Sequence, residues 1–350
     1  MIKVLSLKKR ILIITLIVLL AIFLVILPIA VIIIYNQTFG LRYYTDKNLI
    51  MTPDEFINLN MEEVSFTSNK GQKIAGYKFS KDGQQKKAVI ILSHGIGSGF
   101  NNYMRVCDYF TSNDYLVFAF DNTGNDNSEG KSIKGLPQGV IDLSYAISYV
   151  ENDSDYKDLP IMLMGHSWGG YSVTNVLNVH PEVKAVASIA GFNKSHDLIK
   201  SFGKDMIGNF IYVALPYVDI LEMIRFGKYA FFTAEKGFNK TDAKILILHS
   251  DNDTTVKSIY GFDLWKKNHE NDPRFSFLQL KGKGHSKMFC DSEYLKLFNK
   301  GYSKYLKEEE LEKTEENLKA YCENNLDKEK YFKLDLDVMD SIKTFYDSCL

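Results

Sequence analysis

The sequence predicts an α/β protein: a mostly parallel central sheet with helices on both faces, preceded by one transmembrane helix. Three observations carry this. Short apolar runs recur with segments of helical character between them, a glycine-flanked serine directly follows one of those runs, and a long apolar stretch, residues 11–34, opens the chain.

Composition bounds the answer before any motif does. The 350 residues suffice for one large domain, or for one domain with an insertion. With 45% hydrophobic and 24% charged residues the balance is that of a globular protein. Basic and acidic residues number 42 and 43, so no electrostatic ground exists for a nucleic-acid partner. Cys107, Cys290, Cys322 and Cys349 form no CxxC pair and have no histidine at ligand spacing, so a zinc site is not expected. Cys322 and Cys349 could pair in an oxidising compartment, with free thiols as the alternative.

Residues 11–34 read ILIITLIVLLAIFLVILPIAVIII. A helix of that length covers roughly 36 Å, against about 30 Å of hydrocarbon. A cleaved signal peptide would carry ~7–15 apolar residues and a small-residue cleavage site. Tyr35-Asn36-Gln37-Thr38-Phe39 offers no such site, so an uncleaved anchor is expected; Pro28 can kink it without preventing a span. Lys3, Lys8, Lys9 and Arg10 precede the span, and the next positive charge is Arg42. This asymmetry places residues 1–10 in the cytoplasm and the remaining chain on the outer face of the cell membrane.

Residues 35–61 read as a tether. Within it Thr52-Pro53-Asp54-Glu55 has the signature of a helix start. From residue 62 the pattern is regular. Glu63–Phe66 and Ile74–Phe79 flank Asn69-Lys70-Gly71 as a hairpin. Apolar runs follow at Ala88–Leu92, Tyr115–Phe120, Ile161–Met164, Ala185–Ile189, Ile245–Leu248 and Phe275–Leu280. Between two of them Gln138–Val150 carries one apolar stripe at helical spacing. Such alternation implies a parallel sheet covered on both faces. Residues 192–243 break the rhythm: they contain no clear strand and include the apolar Met206–Leu215, which either packs on the core or lines an apolar substrate pocket. Residues 304–350 begin as a charged helical extension, and Val338–Tyr346 has the 3–4 spacing of a helix that packs back.

The chemistry is concentrated in Gly165-His166-Ser167-Trp168-Gly169-Gly170, directly after Ile161–Met164. Small residues around the serine permit a sharp strand-to-helix turn that exposes the hydroxyl at a helix N-terminus. A serine hydroxyl attacks only if a base takes its proton. His285, in Gly282-Lys283-Gly284-His285 after the last strand, is placed to do so. His94 and His166 are built into turns and read as braces, and His180, His196 and His269 as structural or solvent-facing. The base needs an acid to fix its tautomer. The loop His249-Ser250-Asp251-Asn252-Asp253 supplies Asp253, with Asp251 as competitor. The oxyanion needs two fixed donors. The backbone N–H of Trp168 is one candidate; the other is that of Ile96, in the glycine-rich Ser93–Gly99 loop. That loop lacks the third glycine of a dinucleotide site and the lysine–serine pair of a nucleotide loop.

These residues resemble the α/β-hydrolase superfamily, most nearly its monoacylglycerol-lipase-like and serine-aminopeptidase-like branch. The resemblance extends over about residues 62–303 and rests on His94-Gly95, Gly165–Gly170, His249–Asp253 and Gly284-His285. It implies the α/β-hydrolase fold with a helical cap insertion at residues 192–243. It also implies a Ser167–His285–Asp253 triad, an acyl-enzyme and no cofactor. One departure is Thr123, in Asp121-Asn122-Thr123-Gly124, where the branch carries arginine. The apolar insertion and the anchor favour a lipid-like ester substrate. A peptidase, a silent binding protein and an acyl transferase are the rival readings.

Overall fold

Strands that are apolar at every position need cover on both faces, and the sheet is built that way. The computed structural model describes residues 6–286 and 288–350; Lys3, on which part of the expected topology rests, lies outside them. The strands are β1 Leu59–Thr67, β2 Lys73–Lys81, β3 Val89–Ser93, β4 Leu116–Phe120, β5 Ile161–His166, β6 Ala185–Ile189, β7 Lys244–Ser250 and β8 Phe275–Leu280. Their order is β1-β2-β4-β3-β5-β6-β7-β8. The hairpin β1–β2 and the pair β2–β4 are antiparallel, and the other neighbours are parallel. Successive residues alternate faces: Val89 and Ile91 enter one apolar cluster, Ile90 and Leu92 the other, and all four are buried.

The N-terminal helix runs from α1 Leu7–Ala21 through a π-helical turn, Ile22–Ile26, into α2 Leu27–Phe39. Pro28 sits in the first turn of α2, and the π turn just before it leaves its missing N–H without cost. Next come α3 Met104–Thr111, α4 Pro137–Asn152 and α5 Trp168–Asn175. Between β6 and β7 lie α6 Ser195–Ile207, α7 Ile211–Phe226 and α8 Ala234–Phe238, with no strand among the described residues. The chain closes with α9 Phe262–His269, α10 Ser292–Glu308, α11 Glu315–Asn325, α12 Lys328–Tyr331 and α13 Leu336–Asp347. Helices α3, α10 and α13 contribute to the cluster on one face; α4, α5, α8 and α9 contribute to that on the other.

One segment differs from the sequence reading. The stretch read as a tether lies on the domain: Tyr43 N–H donates to the Gly124 carbonyl at 3.0 Å, and Thr45 donates from N–H and Oγ1 to Asp126, each at 2.6 Å. β1 starts at Leu59, inside that stretch. At the C-terminus α13 packs back as its 3–4 spacing predicts and is part of the core. Met339, Ile342 and Tyr346 are fully buried, and the Tyr346 hydroxyl donates to the Leu163 carbonyl of β5 at 2.7 Å. The apolar side chains at 3–4 spacing account for this, because only an apolar surface can receive them. Cys322 and Cys349 are separate free thiols, so the pairing left open is not formed.

Thr123 is fully buried. Its amide and hydroxyl donate to the Asp142 carboxylate at 2.8 and 3.0 Å, and Gln72 donates to its hydroxyl at 3.0 Å. An arginine would introduce a second buried charge and far more volume into this closed network.

Candidate active site

In an open parallel sheet, ligands bind where the connections from adjacent strands leave in opposite directions. Here that point lies between β3 and β5. The chain leaves β3 toward β4 on one side and leaves β5 toward β6 on the other. The loop after β3 carries His94-Gly95-Ile96, and the turn after β5 carries Ser167.

Ser167 has φ 57° and ψ −114°, a conformation rare for a residue with a side chain. Its neighbours explain how the turn closes. A Cβ at Gly165 would overlap the Gly169 carbonyl, and a Cβ at Gly169 would overlap the Ser93 carbonyl of β3. Both obstacles are backbone and cannot swing aside. Gly169→Ala is expected to cost more than about 3 kcal/mol of stability, read as a large fall in Tm. A Tm within a few degrees of wild type would show that the turn has slack.

Above the turn, the Ser167 Oγ and the His285 Nε2 lie 2.8 Å apart, and the His285 Nδ1 lies 2.8 Å from the Asp253 Oδ2. This pairing fixes the tautomer: Nδ1–H donates to the carboxylate, which leaves the Nε2 lone pair facing the serine hydroxyl. The Asp253 side chain is wholly buried. Its Oδ1 accepts the Thr255 and Val256 amides, each at 2.9 Å, so Oδ2 is left for the imidazole. Burial alone would raise this carboxyl. The hydrogen bond and charge of His285, with the Val256 amide, outweigh it and hold the group below its ordinary value.

Asp251 has a different task. Its Oδ1 accepts the Gly282 amide at 2.8 Å, while Asn252 Oδ1 accepts the Gly284 amide at 2.7 Å. These bonds dock the loop carrying His285 against the loop carrying Asp253. Asp251 thus steadies the His285 loop from outside.

The residues expected to supply oxyanion donors flank the serine. Ile96 lines the same cavity as Ser167. Trp168 is the first residue of α5, where an amide has no intrahelical acceptor. The Trp168 ring is anchored away from the cavity, its Nε1–H donating to the Leu136 carbonyl at 2.7 Å. His94 braces the β3 loop: Nδ1–H donates to the Gly95 carbonyl at 2.7 Å, and Nε2 accepts the Asn122 amide at 2.9 Å. Burial pushes its imidazole down to about 4, so it is neutral at physiological pH.

His166 does more than the sequence reading assigned to it. Its Nε2 lies 2.9 Å from the backbone carbonyl of His285, and its Nδ1 3.4 Å from the Tyr103 hydroxyl. That hydroxyl accepts the Gly95 amide at 3.1 Å. One chain of polar contacts therefore ties together the β3 loop, the Ser167 turn and the His285 loop. Burial, with His285 nearby, lowers the His166 imidazole to about 4, so Nε2–H donates as a neutral group. Nothing in the local sequence distinguishes this role from bracing the turn. His166→Ala is expected to lower kcat about 100-fold by letting the base drift, whereas His166→Gln, which keeps an N–H donor, should recover much of it. Equal activity in the two variants would show the bond to be dispensable.

The cavity over Ser167 has a volume of about 250 Å³ and is lined by the Gly95–Ser98 loop, Asn102, Tyr103, His166, His285, Ser286 and Phe289. No residue of 192–243 is among the described lining, so the apolar stretch of that insertion faces elsewhere. Among the described lining residues none has an acidic side chain. Away from it, Glu151, His180 and Glu182 bring one potential ligand atom each within 4.8 Å of one another. His180 is already held there by Ser144 and Glu182, each at 2.8 Å.

Residues 84–220 match the family model described as serine aminopeptidase, S33. The chain is 34% identical to the mouse monoglyceride lipase over 95 residues, which cover 27% of this chain and 31% of that protein. It is 28% identical to the monoacylglycerol lipase of Mycolicibacterium smegmatis over 116 residues, 33% of this chain and 40% of that one. The matched segment thus spans about a third of the lipases' length. An esterase of Pyrococcus furiosus shares the fold at a TM-score of 0.53 and 17% identity, over 78% of this chain and 96% of that chain.

Proposed function

We propose that this chain, a member of the α/β-hydrolase superfamily in its monoglyceride-lipase-like branch, is a membrane-anchored serine hydrolase that cleaves carboxylic esters. The observation that carries the reading is the continuous relay from the Ser167 hydroxyl through His285 to the buried Asp253 carboxylate. In the proposed reaction the Ser167 Oγ attacks the ester carbonyl while His285 Nε2 takes its proton. The Trp168 and Ile96 amides hold the oxyanion, and His285 then protonates the leaving alkoxide. Water, activated by the same histidine, releases the acid from the acyl-enzyme.

An ester is favoured over a peptide by the cavity lining. An aminopeptidase must pair the substrate's ammonium group, and among the described residues around Ser167 no carboxylate is available to do so. The names of the lipase relatives support the same choice. At about 250 Å³ the cavity is smaller than the pockets that enclose drug-sized ligands. A short acyl group fits it as it stands; a longer chain needs a wider opening.

The anchor reading rests on Leu7–Phe39, a helix of 33 residues with an 18-residue stretch of mean hydropathy 3.6, whose apolar side chains are largely exposed. Lys8, Lys9 and Arg10 in its first turn support an outward-facing catalytic domain. The full chain in detergent, offered a monoacylglycerol and leucine p-nitroanilide, is expected to hydrolyse the first at a rate at least about 100-fold above the second. Turnover of the amide alone would replace the esterase reading with the peptidase one.

A further inference from the structure

The apolar residues of the β6–β7 insertion face the N-terminal helix. Helix α7 packs against α2. The Tyr217 hydroxyl donates to the Phe23 carbonyl at 2.8 Å, Tyr35 donates to the buried Glu222 at 2.8 Å, and Arg225 donates to Asn36 at 2.7 Å. Ser195 at the start of α6 donates to the same Glu222 oxygen at 2.7 Å. Helices α6 and α7 meet closely at Gly203, where a Cβ would overlap the Ile211 side chain. The insertion is therefore fastened to the anchor by side chains that sequence separation alone would never pair.

Between them lies an apolar crevice of about 190 Å³. Val31, Phe39, Ile211 and Val218 line it, with Phe202 and Met206 also on its walls, and none of the described lining residues carries a charge. A closed apolar cavity of about 150 Å³ suffices to take up benzene. From Met206 to Val218 the chain has no charged residue at all. Met206 is 73% exposed and Phe210 60%, an apolar surface of the kind that marks a protein or membrane contact. One wall of the crevice is the anchor itself, whose other faces, such as Leu20 and Ile29, are exposed and apolar. Residue Phe23, which Tyr217 reaches, is in the middle of the anchor's apolar run. With the anchor in a bilayer, α7 lies beside hydrocarbon.

We propose that the crevice between α2 and the α6–α7 hairpin binds an acyl chain of a bilayer phospholipid, entering laterally from the membrane. The site is separate from the cavity over Ser167, with which it shares no lining residue. Its occupation would couple the insertion to the membrane through the same helix that tethers the enzyme. The inference rests on the anchor reading given above, and the test separates the two.

The full chain is placed in nanodiscs of phosphatidylcholine, a fraction of it carrying a diazirine on one acyl chain. After irradiation the adducts are mapped to single residues by mass spectrometry. Adducts are expected on the outward anchor residues Leu20 and Ile29, and also on Ile211 and Val218, which are each 5% exposed and line the crevice. Ala214→Trp, which fills the crevice, should lose the Ile211 and Val218 adducts and keep those on the anchor. Anchor adducts without Ile211 or Val218 adducts in the wild type would overturn the lipid site while leaving the anchor intact. Absence of adducts from the anchor as well would remove the membrane reading and the lipid site with it. The wild-type map decides the question even if the tryptophan variant folds poorly.

Discussion

Replacing Ser167 with alanine is expected to lower kcat by about a million-fold, the loss seen when the nucleophile of a complete triad is removed. The size follows from the geometry. His285 has one proton to take, that of the hydroxyl 2.8 Å away, and no other described side chain hydroxyl is hydrogen-bonded to its Nε2. Stability should change little. Alanine keeps the strained backbone at φ 57° and forfeits a single hydrogen bond, worth about 1 kcal/mol. The paired readout is ester hydrolysis and a thermal melt. A variant with substantial residual turnover and an unchanged melt would move the nucleophile elsewhere.

Asp253→Asn is expected to cost about 10⁴ in kcat. The amide can present N–H where the carboxylate now accepts, so the imidazole would turn its other tautomer toward Ser167 and lose the lone pair that takes the proton. Asp251→Asn should keep nearly full activity, because the asparagine carbonyl can still accept the Gly282 amide. Equal losses in the two variants would reassign the acid. The same pair has a stability signature. Asp253 is held below its ordinary value when folded, so its contribution is present above the ordinary aspartate pKa, about 3.9, and is lost as pH falls through the depressed one. The Asp253→Asn variant cannot show that loss. Its melting temperature should therefore fall less steeply with acid than that of the wild type, measured by calorimetry below about pH 4.

The parts of the fold that the sequence reveals are those whose signal is local. A strand buried on both faces must be apolar throughout, so Ile161–Met164 and Ala185–Ile189 stand out without any knowledge of their neighbours. The serine turn is equally local, because close backbone approach demands glycine at positions 165 and 169. Choosing between Asp251 and Asp253 is a different problem. Both sit in one loop with the same chemistry, and burial decides between them: one side chain is sealed against two amides, the other lies on the surface.

Long-range contacts are not legible in this way. The stretch Met206–Leu215 is apolar in a way that fits a core, a substrate pocket or a membrane, and hydropathy does not say what an apolar face meets. Its neighbour in space, α2, is almost two hundred residues away in sequence. His166 is similar: its reach to the His285 carbonyl depends on two loops meeting over the sheet. Helix α13 is the exception: its 3–4 spacing is legible beside the acidic run before it, although the face of the sheet that receives it is not. Its own stripe of Met339, Ile342 and Tyr346 belongs to the core.

The central claim is that Ser167 is a nucleophile activated by His285. The most direct measurement treats the full chain, anchor included, with a fluorophosphonate and locates the adduct by peptide mass spectrometry. The account predicts a single phosphonylated residue, Ser167, with labelling lost in His285→Ala. A folded protein that takes up no probe, or one labelled equally fast without His285, would contradict it.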